Sequence, residues 1–127
     1  MDDTSAFIDF MGDSPVIRVL DYLLIERELD FSITDIADNS HIGRATLYRI
    51  WDGLIKNDII TYTRTIGKAK LFKLNTNNTK IKKLIELHDS LTIEELKHQH
   101  NNTQKVSRPK NIKTPEREKA VEQYIVR

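Results

Sequence analysis

The chain has 127 residues and a mass of 14.8 kDa, enough for one compact domain and too little for a large multi-domain enzyme. With 39% hydrophobic and 31% charged residues and no apolar run near bilayer length, no transmembrane segment is expected. The absence of cysteine excludes disulfides, thiolate nucleophiles and Cys-ligated zinc or iron–sulfur sites, and the acidic start Met1-Asp2-Asp3 does not resemble a secretory signal, so a cytoplasmic location is expected.

The net charge of +1 hides an uneven distribution. Residues 1–39 carry ten acids against Arg18 and Arg27, a net of −8. Residues 40–83 carry ten bases against Asp52 and Asp58, a net of +8. A basic middle segment in a near-neutral chain is what a polyanion-binding face requires, because only local Lys and Arg density neutralises phosphates. A solvated basic surface would look the same, so charge alone does not decide.

The first strong element opens at Ser14-Pro15, a capping residue followed by a residue suited to the first helical position. Val16, Val19, Leu20, Leu23 and Leu24 then recur at helical spacing, which predicts a helix to about Leu29 with one face on a core. Phe31-Ser32-Ile33 reads as a short extended piece, and Thr34 as the cap of a brief helix to about Asn39. After the break Ser40-His41-Ile42-Gly43, a helix over residues 44–56 carries Leu47, Ile50, Trp51 and Leu54 on one side. Two helices this close make a helix-turn-helix. Ile59 to Ile66 and Ala69 to Leu74 read as two strands joined at Gly67-Lys68, a hairpin with a basic tip. A helix follows from Thr79, with Ile81, Leu84, Ile85, His88 and Leu91 on one stripe, and Thr92-Ile93-Glu94-Glu95 fits a capping box that restarts or bends it. From His100 the composition turns polar, predicting a linker before a short amphipathic helix with Val121, Tyr124 and Ile125.

The stretches Ile33-Thr34-Asp35-Ile36-Ala37 and Ile42-Gly43-Arg44-Ala45-Thr46-Leu47-Tyr48-Arg49 resemble the helix-turn-helix of winged-helix transcriptional regulators. The likeness is greatest to archaeal members of the broad MarR/ArsR-like group. It continues through Ile66-Gly67-Lys68-Ala69-Lys70-Leu71-Phe72-Lys73-Leu74-Asn75, similar to the wing of those proteins, and covers roughly Ser14 to His88. It implies a mainly α fold with a small β-hairpin, a winged helix-turn-helix domain over residues 14–99 with its trailing helix; the polar linker and short helix over 100–127 lie beyond the resemblance and are read from composition. Two residues depart from the family pattern: His41 stands where the turn usually has glycine, and Gly43 where the N-cap is usually serine. Neither breaks the motif, since His is enriched among non-Gly residues in the left-handed region and Gly is tolerated at an N-cap.

Each residue type has a physical role in that arrangement. Ala37 is small where two helices cross, and Ile36, Ile42, Leu47 and Ile50 supply the core that fixes their angle. The resemblance assigns helix 44–56 to the major groove, with Arg44, Ala45, Tyr48 and Arg49 facing base edges. An arginine bidentate to guanine is worth about 1–3 kcal/mol of discrimination, and an alanine methyl suits a thymine methyl. Gly43 and Thr46 are assigned to phosphate, and the wing of residues 59–74, through Arg64, Lys68 and Lys70, to the backbone or minor groove.

Weaker signals point less far. Tyr22 and Trp51 admit a ligand cleft, but core or interface packing is the better reading of two aromatics. His88, His98 and His100 invite a metal site, yet His98 and His100 do not share a helix face, so no metal and no cofactor are expected. No nucleophile elbow, Gly-rich phosphate loop or metal-hydrolase motif is present, and no enzyme is expected. A homodimer through the helix from Thr79, with Ile81, Leu84, Ile85 and Leu91 and help from Tyr22 and Leu23, would match a palindromic site, although capping the domain's own core explains the same stripe. Two function classes remain: a sequence-specific double-stranded DNA-binding regulator, and a winged helix used for protein–protein contact within a transcription or replication complex. Arginine at both recognition-helix positions favours the first.

Overall fold

The computed structural model describes residues 4–107, with side chains described to residue 99. The expected linker beyond residue 107 and the short helix carrying Val121, Tyr124 and Ile125 lie outside the described residues. Five helices and three short strands follow in the order α1 (Ala6–Met11), α2 (Pro15–Ile25), β1 (Phe31–Ser32), α3 (Ile33–Ser40), α4 (Arg44–Lys56), β2 (Ile60–Ile66), β3 (Ala69–Leu74) and α5 (Thr79–Ser107).

Polar caps begin most of these helices. In α2 the Ser14 hydroxyl accepts from the Ile17 amide at 3.2 Å and Pro15 stands at the first helical position, as the sequence suggests. This helix stops at Ile25 instead of near Leu29. Arg27 folds back, its Nε donating to the Leu24 carbonyl at 2.8 Å, and its guanidinium reaches Asp89 of α5 at 2.8 Å. Ile25 and Leu29 are left exposed, so the core offers nothing for a further turn to bury. The start of α3 is also earlier than its sequence suggests. Ser32, not Thr34, is the N-cap, accepting from the Asp35 amide at 3.1 Å.

Helix α1 has no counterpart in the periodicity reading, which starts the domain at residue 14. Six residues are too few to show a period, yet Phe7 is fully buried and Ile8 nearly so. Ser5 fastens the helix from both sides: its oxygen accepts from the Ile8 amide at 3.1 Å and its hydroxyl donates to Asp21 of α2 at 2.8 Å.

One core collects Phe7, Val19, Leu20, Leu23, Leu24, Ile36, Ala37, Leu47, Leu54, Ile60, Leu74 and Ile81. Fully burying an aliphatic or aromatic side chain of this size is worth about 1.5–3 kcal/mol. Every described element except β1 contributes at least one residue, so this cluster holds helices and sheet as one unit.

The hairpin gains a third strand. β1 pairs antiparallel with β3, placing Phe31 opposite Phe72, and the sheet order is β1-β3-β2. β2 and β3 pair from Ile60–Leu74 to Ile66–Ala69, with a bulge between Tyr62 and Arg64 that leaves Thr63 as the extra residue. Gly67 takes a φ of 62°, as the first central position of a two-residue hairpin turn favours.

α5 is continuous from Thr79 to Ser107, across both the Thr92 restart and the start of the polar linker at His100 that its sequence suggests. No Gly or Pro interrupts those residues, and the capping-box pattern is carried inside the helix. Its stripe turns inward. Ile81 is 1% exposed, and Leu84, Ile85 and Leu91 are half-buried against the chain's own core. Leu23, expected to help a dimer, is likewise 1% exposed and thus unavailable to a partner. No helix among the described residues is long and apolar enough to cross a membrane.

Candidate nucleic-acid interface

The turn between α3 and α4 decides where α4 points. His41 sits in the left-handed region, at φ 60° and ψ 42°, where the sequence places a glycine substitute. That conformation lets the Ile42 amide reach back to the Ala37 carbonyl at 3.1 Å and the His41 amide to Asp38 at 3.2 Å, satisfying the last carbonyls of α3. Ala37 and Leu47 are completely buried where the helices cross, and Ile42 and Ile50 pack beside them. Gly43 is the N-cap of α4 and supplies no side-chain acceptor for the first-turn amides.

With Leu47 and Leu54 facing inward, α4 turns Arg44, Ala45, Tyr48 and Arg49 to solvent, Tyr48 with 57% of its surface exposed. These four occupy neighbouring positions one turn apart and form a continuous strip. Thr46, expected at phosphate, is half-buried and accepts from Arg49 Nη2 at 3.3 Å, an arrangement that holds Arg49 along the helix. Asp52, one turn beyond Tyr48 and also exposed, extends the strip; its spacing of seven from Ala45 already marks it in the sequence. A carboxylate there can accept from cytosine N4.

The cations divide into two classes. Arg18 pairs with Asp13 at 2.6 Å, Arg27 with Asp89 at 2.8 Å and Arg64 with Asp30 at 3.0 Å. Among the described residues no carboxylate pairs with Arg44, Arg49, Lys68 or Lys70. Lys68 and Lys70 are exposed at the hairpin tip and border an open groove of about 300 Å³ shared with Ser32, Ile33 and Thr34 at the start of α3. The positive end of the α3 dipole therefore lies on the same groove as these two lysines.

Arg64 stands apart from the other expected wing contacts. Its Nε and Nη2 donate to Asp30 Oδ2 and Oδ1 at 3.0 and 3.2 Å. Hydrogen bonding from Arg64, and next from Thr63, holds the Asp30 carboxyl below its ordinary range, while the same carboxylate raises Arg64 above its own. The sequence gives no sign of Asp30, because the pair spans 34 residues.

Tyr22 and Trp51 do not share a cleft. Tyr22 packs on Phe31 at 4.9 Å and accepts from Asn39 Nδ2 at 3.1 Å, whereas Trp51 meets the Phe72 ring edge-on at 4.9 Å. A cleft of about 430 Å³ between α1, α2 and the end of α3 is lined by Tyr22, Asp21 and Ser40 but not by Trp51. His88 is buried, its Nε2 2.8 Å from Asp21 Oδ1 and its ring 5.2 Å from that of Phe7. It joins α5 to α2. Among the described residues no three His, Asp or Glu side chains converge in a way that could hold a metal ion.

No protein-family model matches the sequence, and no curated protein is significantly similar to it. Solved structures are similar in fold. The adhesin competence repressor AdcR from Streptococcus pyogenes aligns over 86% of this chain and 75% of its own, with 16% identity and a TM-score of 0.53. The apo form of a ZitR mutant from Lactococcus lactis aligns over 94% of this chain and 84% of its own, with 15% identity and a TM-score of 0.56. The fold is a winged helix-turn-helix. Within it, α3 and α4 are the two helices of the motif, and β2 and β3 form the wing.

Proposed function

We propose that the protein is a transcriptional regulator that binds double-stranded DNA sequence-specifically, with α4 (residues 44–56) in the major groove and the wing (residues 59–74) on the backbone or minor groove. One observation carries this reading. Of the five described arginines, the three away from α4 are neutralised by carboxylates, while Arg44 and Arg49 stand exposed on one strip without an acidic partner. Exposed and forming no ion pair, two such arginines suit an external anion and guanine edges. The similarity in fold to a protein described as a repressor supports the same reading.

Arg44, Ala45, Tyr48 and Arg49 read bases, Asp52 extends the strip, and Gly43, Thr46, Lys68 and Lys70 meet phosphates. A homodimer would double a small reading surface and match a palindrome. Because Ile81 and Leu23 are consumed by the core, a second copy would draw on apolar residues that remain exposed, such as Phe10 and Met11 of α1 and Leu96 of α5, respectively 65%, 43% and 46% exposed.

The test is selection of duplex fragments from the source genome at about physiological salt, with sedimentation of the retained complex. A short palindrome enriched by the unmodified protein, bound two copies per site and lost when Arg44 and Arg49 become alanine, is the expected outcome. Uniform weak retention, or none, would overturn the reading and leave the wing and helix as a protein-contact module. A charge reversal at Arg49 that leaves retention unchanged would do the same.

A further inference from the structure

The wing is the least buried part of the described chain. Every residue of β2 from Thr61 to Ile66 is exposed, and beyond Ile60 the ring contact of Tyr62 with the buried Phe72 at 5.9 Å is what joins this strand's side chains to the core. The ladder to β3 is interrupted at Thr63, and a bulge is where a strand bends and its twist increases. Three donors from the two residues at that interruption converge on one carboxylate. The Thr63 hydroxyl and Arg64 Nε both donate to Asp30 Oδ2, and Arg64 Nη2 donates to Oδ1. Asp30 lies immediately before β1, on the far side of β3 from β2, so these bonds cross the middle strand and tie the wing to the end of the link from α2. The Asp30 side chain is 17% exposed, against 62% for Arg64.

We propose that Asp30 is a positioning residue for the wing, locking the Thr63 bulge through Thr63 and Arg64, and that Arg64 serves this lock instead of contacting phosphate. This inference deepens the DNA-binding reading and rests on it for its consequence: phosphate contact at the wing falls to Lys68 and Lys70, whose reach depends on the angle Asp30 sets. The placement of an acid beside a DNA-facing hairpin gives the lock a distinctive sign. On charge alone, removing Asp30 relieves repulsion with phosphate and frees Arg64, which tightens binding. If the carboxylate instead holds the wing in its binding position, removing it weakens binding in spite of the favourable charge change.

The experiment compares the unmodified protein with Asp30→Ala, Thr63→Ala, Arg64→Gln, the Asp30→Ala/Arg64→Gln pair and Lys68→Gln. The probe is a duplex taken from the genomic selection, titrated as salt is raised, and amide exchange in the outer ladder, residues 64–66 and 69–71, is followed in the free protein. Asp30→Ala and Arg64→Gln are each expected to weaken binding about five- to tenfold, with the double variant no worse than either, the non-additivity of one shared contact. Their salt slopes stay at that of the unmodified protein, whereas Lys68→Gln lowers the slope by about 0.9, the release of one phosphate's counterion. Thr63→Ala gives a smaller loss of the same kind. The outer-ladder amides of residues 64–66 and 69–71 exchange faster in Asp30→Ala and Arg64→Gln, while exchange in α2 and α4 is unchanged. Tighter binding by Asp30→Ala, or a slope lowered by Arg64→Gln as much as by Lys68→Gln, would overturn the proposal and make Arg64 a phosphate ligand with Asp30 as its resting partner. Should the unmodified protein retain no duplex, the DNA-binding reading fails while the lock is still judged by exchange, where unchanged protection of the outer-ladder amides would reject it.

Discussion

The helix-turn-helix and the wing belong to one fold but are held by different physics. Around α3 and α4, Ile36, Ala37, Leu47 and Leu54 have at most 2% of their surface exposed, and the proposed reading strip of α4 is set by what lies beneath it. In the wing Ile60, Phe72 and Leu74 are buried and Ile59 packs against the core, and the outer part is placed by a turn glycine, ring contacts of Trp51 and Tyr62 with Phe72, and the Asp30 bonds. Under the proposed function, the surface that fits a groove is carried on the region fixed by packing, and the one that meets the phosphate backbone on a hairpin placed by a few polar bonds.

The largest effect should come from the region held by burial. Leu47→Ala removes a fully buried side chain from beneath the reading strip and is expected to cost about 2–5 kcal/mol, measured by denaturant unfolding. A loss below about 1 kcal/mol would mean that the site collapses without a cavity and that the helices are not fixed by packing. Arg44→Ala and Arg49→Ala reverse that profile. Both positions are exposed, so stability should move by no more than about 0.5 kcal/mol, while discrimination at one base pair falls by about 1–3 kcal/mol for each.

How much of this was legible in the sequence follows the same division. The bounds of α4 and the turn at Gly67 agree with the sequence to the residue, because apolar spacing and a glycine at a hairpin turn are local signals. His41 is foreseeable too, as a residue type tolerated at positive φ. What was illegible is set by partners far along the chain. Helix α1 gains its order from α2 and α5, the early end of α2 comes from Arg27 and Asp89, and the short extended piece at Phe31, itself legible, finds its partner 41 residues away at Phe72. The apolar stripe of α5 was visible, but whether it faced a second copy or its own core was not, since both uses have the same period. Arg64 shows the limit most clearly: its charge suggested phosphate, and only the fold brings it to Asp30.

Pairwise loss of Lys68 and Lys70 should lie below the arginine effects in sequence consequence. Glutamine at both is expected to lower the salt slope by about 1.8 and weaken all duplexes alike. Acidification sharpens the difference from Arg64. Because its folded-state value is depressed, the Asp30 carboxylate keeps its contribution throughout the range above the ordinary carboxylate value and loses it only as pH falls through the depressed one. Between about pH 7 and 5 the exchange protection of the outer-ladder amides, residues 64–66 and 69–71, should therefore stay constant. Loss of protection within that window would show that Asp30 is not what holds the hairpin.

The smallest effect tests whether backbone shape contributes beside burial in the rigid region. His41 is exposed and its φ of 60° is held by the amide bonds that close α3, so replacement by glycine relieves the left-handed strain but also loosens the unfolded chain. The two terms are of similar size, and His41→Gly is expected to change stability by no more than about 0.5 kcal/mol. Valine removes the compensation, because a β-branched side chain tolerates this region poorly, and His41→Val should cost about 1–2 kcal/mol although nothing buried has changed. Arg44 lies three residues beyond this turn, so the direction of the reading strip inherits its geometry. Equal unfolding midpoints for the glycine and valine variants would therefore remove the left-handed turn as a determinant of where α4 points, and leave packing at Ala37 and Leu47 to set it alone.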